Sequence, residues 1–204
     1  MSILLIAASP AAPSRSAALL AGAGRELALL GLAPLTLSLR DLPAHALLLA
    51  DGEHAAIKAA VRQVAEARAI VIATPIYKAA YSGLLKVFLD LLPSDALRGK
   101  TVLPMATGGS PAHLLALDYA LHPVLSALGA RDVLDAVFAA DAQVGYRQGG
   151  GYDFDADIER RLDAAARALH ARLGGARLAS LSSLPPVAPR ALLAAQAPPE
   201  RCSA

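Results

Sequence analysis

Three short runs of Ile, Val and Leu, separated by helical patterns, constrain the fold of this chain more than any other feature. The runs cover residues 3–8, 69–73 and 101–106, and each of them ends in small or turn-forming residues. Strands that are buried on both faces of a parallel sheet have this continuous apolar character. Weaker strand patterns cover 34–39 and 133–139. We therefore expect five strands, of which at least three are central.

Helical patterns separate the five predicted strands. An α/β alternation of this kind requires right-handed crossover connections. It predicts a doubly wound, five-stranded parallel sheet, most simply in the flavodoxin-like order 2-1-3-4-5, in which ligands bind at the carboxyl ends of strands 1, 3 and 4. The predicted helices cover about 16–30, 54–67, 82–92, 111–128 and 155–173.

The chain has 204 residues, of which 55% are apolar, enough for one domain with a sizeable core. We place that domain at residues 1–173 and predict that 174–204, which holds five prolines among Ala and Ser, is a flexible C-terminal tail. The tail carries three Arg against one Glu, which leaves sixteen basic and sixteen acidic residues in the domain. A domain with equal numbers of basic and acidic residues lacks the excess of positive charge that is typical of nucleic-acid binding.

The same composition bears on localisation and on metals. Charged residues, Pro or Gly interrupt every apolar stretch short of the ~20 residues that a bilayer span needs, and the N-terminus lacks the basic region of a signal peptide. We therefore expect a cytoplasmic protein without a membrane segment. The single cysteine, Cys202, excludes an intramolecular disulfide. The histidines show no spacing typical of a metal site, and we predict none.

A triad-like cluster in the sequence argues weakly for a hydrolase. Ser110, His113 and Asp118 lie close together, but the G-x-S-x-G elbow that would expose a serine nucleophile is absent. Asp118 and His122 are four residues apart on a predicted helix, and we interpret them as a surface or interface hydrogen bond. No catalytic side chain is predicted from these residues.

The loop after the first strand has the composition of a phosphate site. It reads S-P-A-A-P-S-R-S at 9–16, just before the first helix. The amides at a helix N-terminus attract anions, and a guanidinium and hydroxyls add further donors. We predict that a monophosphate binds here, because the Walker motif of triphosphate sites is absent. The alternative is a serine-capped helix with a solvated arginine. The predicted phosphate ligands are Ser9, Ser14, Arg15 and Ser16.

Two further loops lie at the same predicted sheet edge. T-P-I-Y at 74–77 follows the third strand, and T-G-G-S at 107–110 follows the fourth, where glycines allow backbone amides to approach a flat ring. Turns favour these residues for structural reasons as well, so each loop alone is weak evidence. Together with the phosphate loop they describe a site for FMN. The predicted ring contacts are Thr74, Pro75, Ile76, Tyr77, Thr107, Gly108 and Gly109.

Several of these motifs together resemble one family. The run A-T-P-I-Y-K-A-A-Y-S-G-L-L-K from residue 73, A-T-G-G from 106 and A-H-L-L-A-L-D-Y-A-L-H-P-V-L-S-A-L from 112 are similar to the NADPH-dependent FMN reductases that serve alkanesulfonate monooxygenases. The resemblance covers about 3–173. It implies a flavodoxin-like homotetramer that reduces FMN with NADPH and passes reduced FMN to a separate flavin-dependent alkanesulfonate monooxygenase. The tail departs from the family pattern.

For this reaction we predict direct hydride transfer from nicotinamide C4 to flavin N5, with no side chain acting as acid, base or nucleophile. Arg15 and Arg147 are both candidates for a nicotinamide nucleotide's 2′-phosphate, and the sequence does not choose between them. Two alternatives stay open: a quinone or azo reductase with bound FMN, and a flavodoxin-like electron carrier. The neutral domain and the absence of Trp favour an FMN reductase over the electron carrier, and only the narrower motifs speak against the quinone or azo reductase.

Pro123 lies inside the predicted helix at 111–128. Proline has no N–H for the carbonyl of Tyr119, and its ring crowds that turn, so we expect a kink or a π-type widening. The resemblance implies an inserted tyrosine in a π-helix at a subunit interface near the flavin, and Tyr119 is the matching residue. The alternative is an interface tyrosine beside a simple proline kink.

Overall fold

The backbone of residues 2–182 and the side chains of residues 2–174 are described in this computed structural model. The core is a parallel sheet with five positions, and the fifth position is shared by two short strands. The predicted order 2-1-3-4-5 is confirmed. From one edge to the other, the strands are β2 (Leu35–Ser38), β1 (Ile3–Ala7), β3 (Ala69–Tyr77), β5 (Thr101–Gly108), and β6 (Asp132–Val133) with β7 (Val137–Ala140). A short strand, β4 (Ala80–Tyr81), pairs antiparallel with the end of β3.

Helices cover both faces of the sheet, which explains why the central strands are apolar throughout. In β3, Ile70 and Ile72 pack on one side, whereas Val71 packs on the other. One face is covered by α1 (Arg15–Leu29) and α6 (Ala156–Ser182). The other is covered by α2 (Ala44–Leu48), α3 (Ala55–Glu66), α4 (Gly83–Leu89) and α5 (His122–Ala127).

The fifth strand position differs from the prediction. The sequence predicted one strand over 133–139, whereas β6 and β7 are separate. The N–H of Leu134 donates to the carbonyl of Val102 at 2.8 Å. The backbone polar groups of Val102, in β5, therefore point toward the fifth strand position. Residues two apart in a strand face the same neighbour, and Pro104 therefore also faces it without an N–H to offer. The N–H that Pro104 lacks would lie at the point where β6 ends and β7 begins.

Two features of the C-terminal half were not predicted. A hairpin of β8 (Val144–Tyr146) and β9 (Tyr152–Phe154) lies outside the main sheet, and its turn includes three glycines with positive φ. Helix α6 continues to Ser182, so the predicted domain boundary at 173 falls inside it. The rest of the predicted tail, 183–204, lies outside the described residues. None of the helices in the described part combines the length and apolar character needed to cross a membrane.

Candidate functional site

A cavity of about 200 Å³ opens at the carboxyl ends of β1, β3 and β5. It lies where the loops after these strands meet, as the doubly wound topology predicts. Nine of the eleven predicted site residues line it: Ser9, Ser14, Arg15, Pro75, Ile76, Tyr77, Thr107, Gly108 and Gly109. Four further residues complete the lining: Ala11, Pro13, Asp141 and Tyr152.

The hydroxyls after β1 shape the start of α1. Ser14 Oγ caps the helix by accepting a hydrogen bond from the N–H of Ala17 at 3.2 Å, and it lies 3.1 Å from Ser16 Oγ. Ser9 Oγ accepts from the N–H of Ala11 at 3.2 Å. Ser16 is only 1% exposed and does not line the cavity. The serine-capped helix and the exposed arginine of the alternative interpretation are thus both present. Ser14 and Arg15 also line the cavity.

Arg15 crosses the cavity toward the segment between β7 and β8. Its Nε donates to the carbonyl of Val144 at 3.1 Å, and its Nη1 lies 3.9 Å from Asp141 Oδ2. The side chains of the Arg15 and Asp141 pair are 43% and 45% exposed. The guanidinium is therefore oriented by its backbone contact and keeps donors free for a ligand.

The segment that carries Asp141 is itself fixed from two sides. Gln143 Oε1 accepts from the N–H of Ala140 at 3.0 Å, and Gln143 Nε2 donates to Asp155 Oδ2 at 3.0 Å. Asp155 Oδ1 in turn accepts from the N–H of Ile158 in the first turn of α6 at 2.8 Å. The donors from Ile158 and then Gln143 lower the pKa of the Asp155 carboxyl. This network keeps Asp141 at the cavity edge.

Thr74 supports the site from behind rather than lining it. It is fully buried, and its Oγ1 accepts from the N–H of Ser82 at 2.9 Å and donates to the carbonyl of Pro75 at 3.1 Å. Ser82 Oγ donates to the carbonyl of Ala8 at 2.6 Å and accepts from the N–H of Leu85 at 3.1 Å. These two hydroxyls join the ends of β1 and β3 to the start of α4. They set the position of the loop that carries Tyr77.

The loop after β5 has little room for side chains. A Cβ on Gly108 would lie 2.9 Å from His113 Nδ1 and 3.1 Å from His113 Cβ. Among the described residues, this buried Nδ1 has no hydrogen-bond partner. Because glycine has no Cβ, the loop leaves room for the side chain of His113 against Gly108. Tyr77 faces the loop across the cavity and is 48% exposed, which leaves an aromatic surface available.

The helix predicted at 111–128 is divided into three parts. A 3-10 turn covers Pro111–Leu114, a π-helix covers Leu117–Leu121, and α5 follows. Of the two outcomes expected before Pro123, a kink or a π-type widening, the structure has the π-type widening. Tyr119 is 80% exposed and lies in the π-helix, outside the cavity lining.

The chain has a flavodoxin-like fold with a cavity at the carboxyl ends of its central strands, and comparison with known proteins identifies its family. A family profile described as "NADPH-dependent FMN reductase" matches residues 1–145. The chain is 46% identical over 177 residues to "FMN reductase (NADPH)" of Escherichia coli K12, covering 84% of this chain and 92% of that protein. It is 47% identical over 149 residues to "FMN reductase (NADPH)" of Pseudomonas putida KT2440, covering 73% and 76%.

A solved structure agrees with these relatives. The apo form of "NADH:FMN oxidoreductase (EMOB)" superposes with a TM-score of 0.73 at 39% identity, covering 84% of this chain and 89% of that one. The chain belongs to the NADPH-dependent FMN reductase family. The predicted family, and with it the oxidoreductase class and the use of FMN and NADPH, is confirmed.

Proposed function

We propose that the cavity at the carboxyl ends of β1, β3 and β5 binds FMN as an exchangeable substrate, which the protein reduces with NADPH. One observation carries this proposal. A single arginine, helix-capping hydroxyls, a tyrosine loop and a glycine loop line one cavity although they are far apart in the sequence. An FMN molecule requires these features in this order, from phosphate to ring.

The phosphate end of the site is the start of α1. Ser14 caps this fifteen-residue helix, so its amides and the positive end of its dipole face the cavity. Arg15 supplies the charge, and Ser9 and Ser14 supply hydroxyls. Ser16, which lies against Ser14, fixes the orientation of that hydroxyl. A dianionic phosphate fits this set of donors.

The ring end lies between the loops after β3 and β5. Pro75, Ile76 and Tyr77 offer an apolar and aromatic surface, and the backbone of Thr107 to Gly109 offers amides and carbonyls to a ring edge. Thr74 contributes indirectly, since its hydroxyl holds the turn that carries Tyr77. These residues would hold and orient the ring.

When FMN is bound, its isoalloxazine supplies the hydride chemistry. The chain's own groups orient and desolvate the reactants. Among the described residues that line the cavity, the ionisable side chains are those of Arg15, Asp141, Tyr77 and Tyr152. We keep the prediction that no side chain transfers a proton in the reductive step, because hydride would pass directly from nicotinamide C4 to flavin N5. The residues that select NADPH over NADH are not assigned.

We further propose that the protein acts as a homotetramer and supplies reduced FMN to a flavin-dependent alkanesulfonate monooxygenase. Two observations support this. The motifs K-A-A-Y-S-G and H-L-L-A-L-D-Y-A-L have the form found in reductases of that kind. The π-helix and the turn before it also expose Leu114, Leu115 and Tyr119, and exposed apolar groups of this kind mark interaction surfaces.

A coupled assay tests the partner. The protein, NADPH and FMN are combined with a purified flavin-dependent alkanesulfonate monooxygenase and an alkanesulfonate, and sulfite release is measured. Sulfite release that requires all components supports the proposal. NADPH oxidation that prefers quinones or azo dyes to FMN would assign the alternative reductase class. Tightly held FMN without turnover would assign the electron carrier.

A further inference from the structure

We propose that Asp141 competes with the flavin phosphate for Arg15, and that this competition lowers the affinity of the site for FMN. The inference rests on the proposed function, because it concerns the phosphate end of that site. It assigns a role to a carboxylate that no sequence motif marks. Asp141 would thus be a residue that sets flavin affinity through its contact with Arg15.

The geometry places Asp141 where a phosphate would have to compete with it. Arg15 is held by two groups of the same segment: the carbonyl of Val144 binds Nε at 3.1 Å, and the carboxylate of Asp141 lies 3.9 Å from Nη1. Both Arg15 and Asp141 line the cavity, together with the hydroxyl-bearing loop of Ser9 and Ser14. A phosphate that accepts hydrogen bonds from this loop and from Arg15 enters the space beside the carboxylate.

The charges of the cavity explain why this competition matters. Among the described residues that line it, Arg15 is the one Lys or Arg and Asp141 is the one Asp or Glu, so their formal charges cancel. A dianion gains less from such a site than from an arginine alone, because the guanidinium must give up an existing partner. The backbone on either side of Asp141 is fixed, since Gln143 binds both the N–H of Ala140 and Asp155.

The solvent exposure of Arg15 and Asp141 limits how much their contact can change FMN affinity. The two side chains are nearly half exposed, and their atoms are 3.9 Å apart. An exposed ion pair shifts an equilibrium by a factor of about two to five. Asp141 should therefore weaken FMN binding several-fold without preventing it. A substrate flavin that must leave after reduction needs binding of this moderate kind.

The test is isothermal titration calorimetry with FMN and with riboflavin, which lacks the phosphate. Asp141→Asn removes the charge and keeps the shape. Asp163→Asn is the matched control, because Asp163 is 44% exposed and pairs with Arg167 on α6, away from the cavity lining. Arg15→Ala and the double variant Arg15→Ala/Asp141→Asn complete a cycle.

We expect Asp141→Asn to tighten FMN binding about twofold to fivefold and to leave riboflavin binding unchanged, while Asp163→Asn changes neither. In the Arg15→Ala background the same substitution should lose most of its effect. Unchanged FMN affinity in Asp141→Asn, or equal tightening with and without Arg15, would overturn the competition. If Arg15→Ala itself left FMN affinity unchanged, the phosphate assignment of the proposed function would fail, which is a separate and distinguishable result.

Discussion

Arg15 joins parts of the chain that are far apart in sequence. It begins α1, yet its Nε binds the carbonyl of Val144, 129 residues later. The proposed phosphate site is therefore completed only when the residues after β7 are in place. Substitution of Arg15 is therefore the most direct test of the proposed phosphate site.

Replacement of Arg15 by Ala should weaken FMN binding about tenfold or more, since a charge-assisted bond to phosphate contributes about 1.5–3 kcal/mol. Riboflavin affinity should hardly change. Calorimetry with both ligands measures this, and Arg167→Ala on α6 serves as the control. Equal losses for FMN and riboflavin would mean that Arg15 acts on the fold and not on the phosphate.

At the residue scale, most of the cavity lining could be predicted from the sequence. Hydroxyls, glycines and one arginine after apolar strands identify a ligand site, because parallel strands end at one sheet edge. Thr74 was expected in the site and is buried behind it, since threonine's hydroxyl satisfies backbone groups equally well. Asp141 and Tyr152 were missed. Asp141 directly follows the weak fifth strand, and its position after a strand was the available signal.

At the element scale, two buried hydroxyls connect the ends of strands to a helix. Ser82 caps α4 and also donates to the carbonyl of Ala8 at the end of β1, and Thr74 accepts from its N–H. The loops that form the cavity thus share one buried hydrogen-bond network. Loss of the network should affect stability and site geometry together.

Substitution of Ser82 by Ala should lower the free energy of unfolding by about 2–4 kcal/mol, because it removes a helix cap and leaves a buried carbonyl without its donor. Urea denaturation measures the loss. Ser126→Ala, in helix α5, should change stability by about 0.5 kcal/mol or less. Similar values for the two variants would show that the hydroxyl of Ser82 adds nothing to stability.

The π-helix at Leu117–Leu121 holds one residue more than a regular α-helix would need. Deleting Tyr119 should let this stretch relax to regular α-helix, and we expect tighter FMN binding with poorer multiple-turnover transfer to the monooxygenase. Tyr119→Ala removes the side chain and keeps the number of residues. Comparison of the two variants therefore distinguishes the effect of the tyrosine side chain from that of the extra residue. Calorimetry and the coupled assay measure both properties. A deletion variant that matches the wild type in both would leave Tyr119 with a packing role only.

The sequence predicted the presence of helices and strands better than the points at which they are interrupted. Strong apolar runs identified β1, β3 and β5, because burial on both faces imposes a pattern on every residue. The split between β6 and β7 follows from Pro104 in a neighbouring strand, and strand pairing is not visible in a local pattern. The continuation of α6 past Gly174 was missed since glycines there are typical of a helix end.

At the scale of the whole molecule, exposed apolar side chains lie on the turn and π-helix that follow the glycine loop. Leu115 and Tyr119 are 55% and 80% exposed. An assembly that covers them would bring subunit contacts within a few residues of the ligand loop at Gly108 and Gly109. We expect flavin binding and assembly to be coupled for this reason.

Sedimentation velocity tests the assembly. We expect a tetramer for the wild type and smaller species for Leu115→Glu, because a charge would have to be buried at the contact. Gln63→Glu is the control, since Gln63 is an exposed polar residue of α3 and the substitution should leave the assembly intact. A wild-type monomer at micromolar concentration, or equal effects of the two substitutions, would contradict the tetramer.

The central claim is that FMN is a substrate that binds, is reduced and leaves. The most direct measurement is the steady-state rate of NADPH oxidation as a function of added free FMN, using protein freed of flavin by desalting. We expect negligible NADPH oxidation without FMN and a rate that rises with added FMN and saturates. A protein that retains one FMN per chain through desalting, with an NADPH oxidation rate independent of added FMN, would contradict it.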